Sequence, residues 1–366
     1  MATATMRPCG DFRATYRSDT TMFEDRASRN STILWIALLA LIPMPNVLGL
    51  GFEILDAYWM NLLVTIGYLS IAALGLNILV GFTGQISIGH SVFFGFGAFA
   101  SVWLSSNFSV PVFFSIPLAA LMTAAVGLIF GIPAARIKGL YLAIATLAAQ
   151  FILEDFFARA DWFTGGTHGS LADPFSIFGY EVYDDHTYFL LVLFNAVLMF
   201  ILASNLMRSR DGRAFVAVRD HYLSAEIMGV NLTKYRVMSF GISSFFAGMG
   251  GALYAHHLGF VSVEAFTILF SIQFLGMVII GGLGSIMGTI LGVTFMVMLP
   301  EVMDMGARGL SGSWLDQTLG LQNAINFLKE MAIGLAIVLF LIFEPDGLAH
   351  RWRQIKAYWK LYPFSY

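Results

Sequence analysis

Residues 60–80 read MNLLVTIGYLSIAALGLNILV, and the next eleven residues, 81–91, read GFTGQISIGHS. The first stretch is apolar and uncharged over the length that an α-helix needs to cross the hydrocarbon core of a bilayer, about 30 Å. The second stretch contains three glycines, a glutamine, two serines and a histidine, and the apolar run SVFFGFGAFASVWL continues from Ser91. The interruption is a candidate phosphate loop, catalytic corner or break in a membrane helix.

The composition of the chain excludes water as its main solvent. Of its 366 residues 58% are hydrophobic and only 12% are charged, with a mean hydropathy of +0.75, whereas soluble domains carry about 25% charged residues. Lipid accepts only helices or closed barrels, and the continuous apolar runs favour helices. A formal charge of −3 argues against nucleic-acid binding, the single Cys9 allows no disulfide within the chain, and no spacing predicts a metal site or a bound cofactor.

Ten apolar segments are predicted to span the membrane, so we expect an all-α polytopic membrane protein with about ten transmembrane helices. The segments are 32–50, 60–80, 86–105, 112–132, 139–158, 187–206, 237–256, 266–283, 286–304 and 323–343. An assignment with both termini cytoplasmic places 17 of the 20 Lys and Arg residues inside and leaves Arg159, Arg308 and Lys329 outside. Positive charge concentrates on the cytoplasmic side of membrane proteins, which favours this orientation.

The chain is predicted to have three regions. Residues 1–31 are polar and predicted to be a disordered cytoplasmic segment, and residues 32–343 form the transmembrane domain. Residues 344–366 are basic and aromatic, and they predict an interfacial helix on the cytoplasmic leaflet of the lipid bilayer. The run 32–50 also resembles a signal peptide, but a long polar segment precedes it and no clear cleavage site follows.

Two loops and one glycine pattern stand out within the transmembrane domain. The outer loop, 159–186, is acidic and rich in turn residues, whereas the cytoplasmic loop, 208–236, is basic. Apolar residues recur at helical spacing in the basic loop, which predicts a short amphipathic helix ended by Gly229. Gly284, Gly288 and Gly292 are spaced four residues apart and predict a close helix–helix approach.

Five stretches, in the expected order, resemble the permease subunits of bacterial ABC importers for branched-chain amino acids, and together they cover most of residues 60–348. They are LNILVGFTGQISIGHSVFFGFGAF, RIKGLYLAIATLA, GRAFVAVRDHYLSAEIMGVNLTKYRVMSFGISSFFAGMGGALYA, MVIIGGLGSIMGTILG and FEPDGL. The resemblance implies a non-enzymatic subunit of the bacterial inner membrane that forms half of a translocation pathway. It also implies a second homologous permease, two cytoplasmic ATP-binding subunits and a periplasmic substrate-binding protein as partners.

In that family the stretch around SAEIMG is the coupling helix that fits a cleft on the ATPase. Carried over by position, this nominates Ala225, Glu226 and Gly229 for the docking helix and Arg213, Arg219 and Asp220 as flanking contacts. The substrate implied is a branched-chain or other hydrophobic amino acid. Urea and short-chain amides stay open, because related permeases carry them.

Polar side chains at membrane depth are costly unless they are paired or face water, so they are candidates for the solute pathway. The predicted pathway residues are Asn77, Gln85, Ser87, His90, Thr146, Gln150, Glu154 and Gln273. Thr146, Gln150 and Glu154 share one face of a helix, since they are four residues apart. The alternative is that each of these side chains makes interhelical hydrogen bonds that hold the bundle.

Chemistry on this chain itself is disfavoured. No P-loop pattern is present, and Gly95–Ala100 fits a dinucleotide motif only inside an apolar span. Ala255–Gly259 matches the A-H-x-x-G pattern of rhomboid intramembrane serine proteases, but the candidate serine motif at Gly241–Ser244 lacks its final glycine. That motif also shares a helix with His256, about 20 Å away at 1.5 Å per residue. We therefore expect His256 and His257 to lie at the outer membrane interface.

The interruption at Gly81–Ser91 is expected at the cytoplasmic junction of the second and third spans, and no basic residue accompanies it. A similar glycine-rich junction, GGLGSIMG, separates the eighth and ninth spans. Paired interruptions are a pointer to solute sites in transporters. The hypothesis is a break in helical continuity at which Gln85, Ser87 and His90 border the pathway.

Overall fold

The computed structural model of the chain describes residues 26–47, 54–137, 139–177, 180–182, 184–309 and 321–361. The helices in chain order are α1 (Arg26–Leu41), α2 (Met44–Val47), α3 (Ala57–Asn77), α4 (His90–Phe108), α5 (Val112–Ala134), α6 (Leu140–Arg159), α7 (Asp161–Thr164), α8 (Asp185–Arg208), α9 (Arg210–Asp220), α10 (Tyr222–Ile227), α11 (Leu232–Leu258), α12 (Ile268–Gly281), α13 (Ile286–Gly309), α14 (Leu321–Phe343) and α15 (Gly347–Leu361). A π-helical turn, Ile78–Phe82, extends α3.

Seven helices of the described residues are long and apolar enough to cross a membrane, which makes the chain a helical, multi-pass membrane protein. They are α3 with its π turn, α5, α6, α8, α11, α12 with the short turn before it, and α13. The other three predicted spans fall on α1, α4 and α14. The total of ten spans and the cytoplasmic position of both termini stay predictions.

The first predicted span differs from the structure at both of its ends. Helix α1 begins at Arg26, inside the segment expected to be disordered, and it ends at Leu41 rather than at residue 50. Pro43 and Pro45 follow Leu41, and proline disfavours the continuation of a helix because it lacks an N–H donor and its ring crowds the preceding turn. Residues 1–25 and 48–53 lie outside the described residues.

Helices α3 and α11 form the centre of the bundle. The apolar windows of these two helices are 78% and 72% buried, against 22–39% for the other five candidate spans. Small residues let the helix backbones touch, since a Cβ atom on Gly251 of α11 would overlap the carbonyl oxygen of Phe94 in α4. The outward faces of the peripheral helices carry large apolar side chains, such as Ile129 and Phe194, which suits contact with lipid.

The outer loop and the segment after α11 add short strands to the helical fold. Strands β1 (Ser170–Leu171) and β4 (Phe260–Val261) pair antiparallel, as do β2 (Phe175–Ile177) and β3 (Tyr180–Val182). The all-α prediction missed these two small sheets, because strands of two or three residues are too short to leave a periodic pattern.

Two segments interrupt the helices, as the glycine-rich junctions predicted. The first break, defined as Thr83–Gly89, separates the π turn from α4, so that α4 begins at His90 rather than near residue 86. The second break, Gly282–Ser285, separates α12 from α13. Both breaks lie at the inner end of the bundle, defined as the end that carries residues 209–231.

The coupling segment, defined as residues 209–231, contains two helices where a single one was expected. Residue His221, with φ −149° and ψ 83°, separates α9 from α10. Helix α10 ends in a Schellman motif, in which Val230 N–H donates to the Ala225 carbonyl and Gly229 has φ 88°. The Asn231 side chain then caps α11 by accepting from Lys234 N–H.

Candidate functional site

The first break runs back into the bundle beside α3. The Nε2 atom of His90 lies 2.9 Å from the carbonyl oxygen of Ala72, and Ala72 is ten residues before Phe82, where the π turn ends. Ten helical residues span about 15 Å, a distance that seven extended residues cover easily. The first break is therefore a re-entrant segment and not a plain turn.

A buried cluster of three polar side chains fixes the point where α4 begins. Ser91 of α4, Gln150 of α6 and Ser271 of α12 are each at most 1% exposed. The Ser271 hydroxyl donates to Ser91 Oγ at 2.8 Å, and Gln150 Nε2 donates to Ser91 Oγ at 3.0 Å. Gln150 Nε2 also donates to the Phe266 carbonyl at 2.8 Å. This polar cluster joins three helices and the chain before α12.

Two further predicted residues, Thr146 of α6 and Gln85 of the break itself, bond the first break to neighbouring helices. The Thr146 hydroxyl accepts from Ile88 N–H at 3.0 Å. The Gln85 Nε2 atom donates to Ser239 Oγ of α11 at 2.6 Å, while Gln85 Oε1 is buried without a recorded partner. Ser87 is buried within the same segment. The structure thus brings together five predicted residues, namely Gln85, Ser87, His90, Thr146 and Gln150.

Asn77, in the last turn of α3, bridges to the second break. Its Nδ2 atom donates to the Ser285 carbonyl at 2.9 Å and to Thr289 Oγ1 at 2.8 Å, and its Oδ1 atom accepts from Gly284 N–H at 2.9 Å. All three partners belong to the second break or to the first turn of α13. One fully buried amide therefore satisfies both donors and acceptors of a helix interruption.

Arg219, predicted as a flanking contact of the docking helix, is exposed and also bonds within the chain. Its Nη1 atom donates to the Gly81 carbonyl, at the end of the π turn, at 2.7 Å. Its Nε atom donates to Asp220 Oδ1 at 2.8 Å. The coupling segment is therefore bonded directly to the region where the two breaks meet.

Glu154 and Gln273 lie apart from this arrangement. Both are half-buried, and Glu154 Oε2 is buried without a recorded partner. On α12 it is Ser271, two residues before Gln273, that joins the polar cluster. The predicted polar face of α6 therefore splits, with Thr146 and Gln150 at the first break and Glu154 farther along the helix.

The predicted docking residues divide into exposed and buried ones. Five of the six are exposed, namely Arg213, Arg219, Asp220, Glu226 and Gly229, whereas Ala225 is buried. The most prominent side chains of α10 and its end were not nominated from the sequence. They are Leu223, Ile227 and Met228, which are 60%, 86% and 84% exposed.

The glycines predicted to pack helices have different positions. Gly288 and Gly292 of α13 face the backbone of α12, where a Cβ atom on either would overlap the main chain near Gly281. Gly284 belongs to the second break and has φ 75°. The close approach of α12 and α13 therefore depends on two of the three glycines.

The two histidines expected at the outer interface lie beneath the outer loop, where His256 is buried and His257 is half-buried. His256 is 5% exposed, with Nε2 2.8 Å from Ser101 Oγ and Nδ1 2.7 Å from the Asp173 carbonyl oxygen. His257 bonds Asp185 at 3.3 Å. The outer loop covers these side chains, and sequence periodicity cannot reveal such a cover. Ser101 is fully buried and also bonds Ser115, so its pairing with His256 supports packing and presents no accessible nucleophile.

The sequence of the chain matches known proteins over most of its length. The family described as branched-chain amino acid transport system / permease component matches residues 58–342. Over 257 residues, 64% of the chain, it is 31% identical to the high-affinity branched-chain amino acid transport system permease protein LivM of Salmonella typhimurium. That match covers 56% of the Salmonella protein, so the chain spans little more than half the length of this relative.

Two more distant relatives are also transport permeases by name. The probable branched-chain amino acid transport permease protein LivM of Methanocaldococcus jannaschii is 27% identical, over 65% of this chain and 68% of its own. The autoinducer 2 import system permease protein LsrC of an Enterobacter species is 26% identical, over 52% and 57% respectively. No solved structure matches the chain.

Proposed function

Because the chain belongs to the family of branched-chain amino acid transport system permease components, we propose that it is a permease subunit of an ATP-driven ABC importer. The observation that carries this proposal is the family match, which extends over residues 58–342. Such a subunit forms half of the translocation pathway. A second homologous permease, two cytoplasmic ATP-binding subunits and a periplasmic substrate-binding protein complete the importer.

The proposed substrate is a branched-chain or other hydrophobic amino acid. Two relatives are named for the transport of branched-chain amino acids, and the spans of this chain carry few charges. A zwitterion passes neutral polar groups more easily than fixed charges, which would bind one of its ends tightly. ATP hydrolysis is assigned to the partner subunits, so this chain is a transport subunit and not an enzyme.

The proposed placement is the bacterial inner membrane with both termini in the cytoplasm. The inner end of the bundle then faces the cytoplasm and the outer loop faces the periplasm. Helix α15 carries the exposed side chains of Trp352, Ile355 and Tyr358 beside Arg353 and Lys356. This composition suits a helix that lies on the cytoplasmic leaflet.

The predicted pathway residues are proposed to line the pathway when the inner end is open. In the conformation described, Asn77, Gln85, His90, Thr146 and Gln150 form hydrogen bonds within the chain. Inner and outer access must alternate during import, and rigid-body movement of helices is a common way to achieve this. Polar side chains that are paired in one state can then meet the substrate in the other.

Helix α10 is proposed as the knob that docks on the ATP-binding subunit. Leu223, Ile227 and Met228 form an exposed apolar tip beside the charge of Glu226. Large apolar side chains that fill a partner's pocket dominate the energy of many protein interfaces. A tip of this kind is costly in water unless a partner covers it.

Reconstitution tests the proposal. The chain, its partner permease and the ATP-binding subunits, placed in proteoliposomes with the substrate-binding protein, should import leucine only when ATP is supplied. Ile227→Asp and Glu226→Arg should lose co-purification with the ATP-binding subunits and lose uptake, while Glu330→Arg, at an exposed residue of α14, should lose neither. A wild-type complex without ATP-dependent uptake of any amino acid would contradict the function. Normal uptake in both tip variants would contradict the docking assignment.

A further inference from the structure

We propose that Arg219 is the positioning residue through which the coupling segment holds an inner gate, and that the two helix breaks form this gate. The proposal rests on the proposed function, because a coupling segment needs an ATPase to move it. It goes further by naming the contact inside the chain that receives the movement.

The first observation is the bond from Arg219 to the end of α3. The guanidinium donates to the Gly81 carbonyl oxygen at 2.7 Å, and that oxygen belongs to the π turn where the helix ends. Carbonyl groups in the last helical turn lack partners within the helix, and the helix dipole makes this end negative. A positive donor is therefore well matched to this position.

The second observation is how tightly Arg219 fits between the breaks. A Cβ atom on Gly84, in the first break, would lie 2.9 Å from Arg219 Cγ. A Cβ atom on Gly284, in the second break, would lie 3.2 Å from Arg219 Nη1 and 3.3 Å from the Gly81 carbonyl oxygen. Both glycines have positive φ, 71° and 75°, which other residues rarely adopt. The side chain of Arg219 thus lies against both breaks, while 37% of it stays exposed.

The third observation is that the two breaks are themselves connected. Asn77, four residues before Gly81, bonds the main chain of Gly284 and Ser285. Displacing Gly81 therefore disturbs the second break as well as the first. A single contact from the coupling segment can act on both.

The coupling segment provides a short mechanical path to this contact. The docking tip of α10 follows α9 directly, and Arg219 lies in the last turn of α9. Phe215 of α9 is fully buried and packs edge to face with Tyr235 at 5.8 Å, so α9 is seated on the bundle. When an ATPase shifts the tip and α9 follows it, Arg219 either pulls Gly81 along or loses its hydrogen bond to the Gly81 carbonyl.

The experiment measures import and ATP hydrolysis in the same proteoliposomes, containing the complete importer with Arg219→Gln, Arg219→Lys or wild-type chain. We expect Arg219→Gln to keep ATP hydrolysis while the number of leucine molecules imported per ATP falls about tenfold, the factor expected for losing one hydrogen bond to a charged group. Arg219→Lys keeps a donor for Gly81 and should fall less. Arg210→Gln removes a charge from the exposed first residue of the same helix and should match wild type.

The ratio of import to hydrolysis separates gate control from a purely structural role. If Arg219 only stabilised the fold, both activities would fall together and the ratio would not change, which would overturn the proposal. Gly284→Ala tests the same contact from the opposite side and should lower the ratio too, while Gly306→Ala, with open space around it, should not. A wild-type ratio of import to hydrolysis in either Arg219→Gln or Gly284→Ala would overturn the proposal. If Arg219→Gln does not assemble into an importer, the ratio measured for Gly284→Ala decides the test. A wild-type importer without ATP-dependent import would instead contradict the function.

Discussion

The first break occupies seven residues, Thr83–Gly89, whereas the second occupies four, Gly282–Ser285. Four helices bond groups in and beside the first break. The side chains of His90 and Gln85 bond α3 and α11, and the main-chain N–H groups of Ile88 and Ser91 donate to hydroxyls of α6 and α12. The second break is held from within the bundle mainly by one side chain, that of Asn77. Hydrogen bonds therefore tie the first break to more helices than the second.

The second break also meets the C-terminal segment. A Cβ atom on Gly282 would lie 3.3 Å from the Cβ atom of Ala349, in the first turn of α15, and 2.8 Å from the Asp346 carbonyl oxygen. The FEPDGL stretch, singled out in the sequence for its family resemblance, thus packs against the second break. The coupling segment thus lies against both breaks through Arg219, and the C-terminal segment packs against the second.

The largest expected effect comes from Gly81→Ala, which acts on both breaks at once. A Cβ atom at this position would overlap Asn77 Oδ1 and the backbone nitrogen of Gly284. Because a backbone atom cannot turn aside as a side chain can, we expect a loss of about 3 kcal/mol, the upper range for overpacking. The thermal unfolding midpoint of the purified chain in detergent measures this loss.

The control for Gly81→Ala is Gly334→Ala in α14, where a Cβ atom meets nothing within 4 Å. Alanine favours the helix over glycine by up to about 1 kcal/mol, so this midpoint should stay or rise slightly. Equal midpoints for the two variants would contradict the close contact between the breaks.

A smaller effect, confined to the first break, is expected for Gln150→Leu. This variant removes the donor to Ser91 Oγ and to the Phe266 carbonyl and leaves those buried groups with fewer partners. Interhelical hydrogen bonds in membranes contribute about 0.6 kcal/mol each on average, and buried groups left unpaired cost more, so we expect a loss of about 1–2 kcal/mol. The same thermal measurement applies.

Asn195→Leu in α8 is the matched control, because among the described residues the Asn195 amide donates only to the carbonyl of Leu191 in its own helix. The free energy of unfolding of this control should stay within about 0.5 kcal/mol of the wild-type value. If Gln150→Leu behaved like this control, the polar cluster would not anchor the first break.

The sequence predicted the location of both breaks because glycine and polar residues stand out in apolar runs. It did not predict that the first break returns beside α3, since this depends on the contact of His90 with Ala72, which are eighteen residues apart. Ser91 and Ser271 were missed for a related reason. A serine costs little in an apolar helix, and only the meeting of three helices makes these two a cluster.

The motif that resembles the family's coupling helix drew attention to residues 209–231, yet the most exposed side chains of this segment were missed. The apolar stripe that predicted a helix identifies residues that face the bundle, such as Phe215 and Val218, and both are buried. Ile227 and Met228 lie off that stripe and are exposed. Only the fold separates an apolar residue that packs inward from one that remains free for a partner.

The central claim is that the two breaks form a gate that opens when the coupling segment moves, and the distance between them tests it most directly. Ile86 of the first break and Leu283 of the second are both exposed and can carry spin labels after Ile86→Cys and Leu283→Cys, in a chain with Cys9→Ser. Pulsed electron spin resonance on the reconstituted importer then compares the nucleotide-free and ATP-bound states. We predict two distinct label distances, with the change lost in Arg219→Gln. One unchanged distance in both states of an importer that transports substrate would contradict the account.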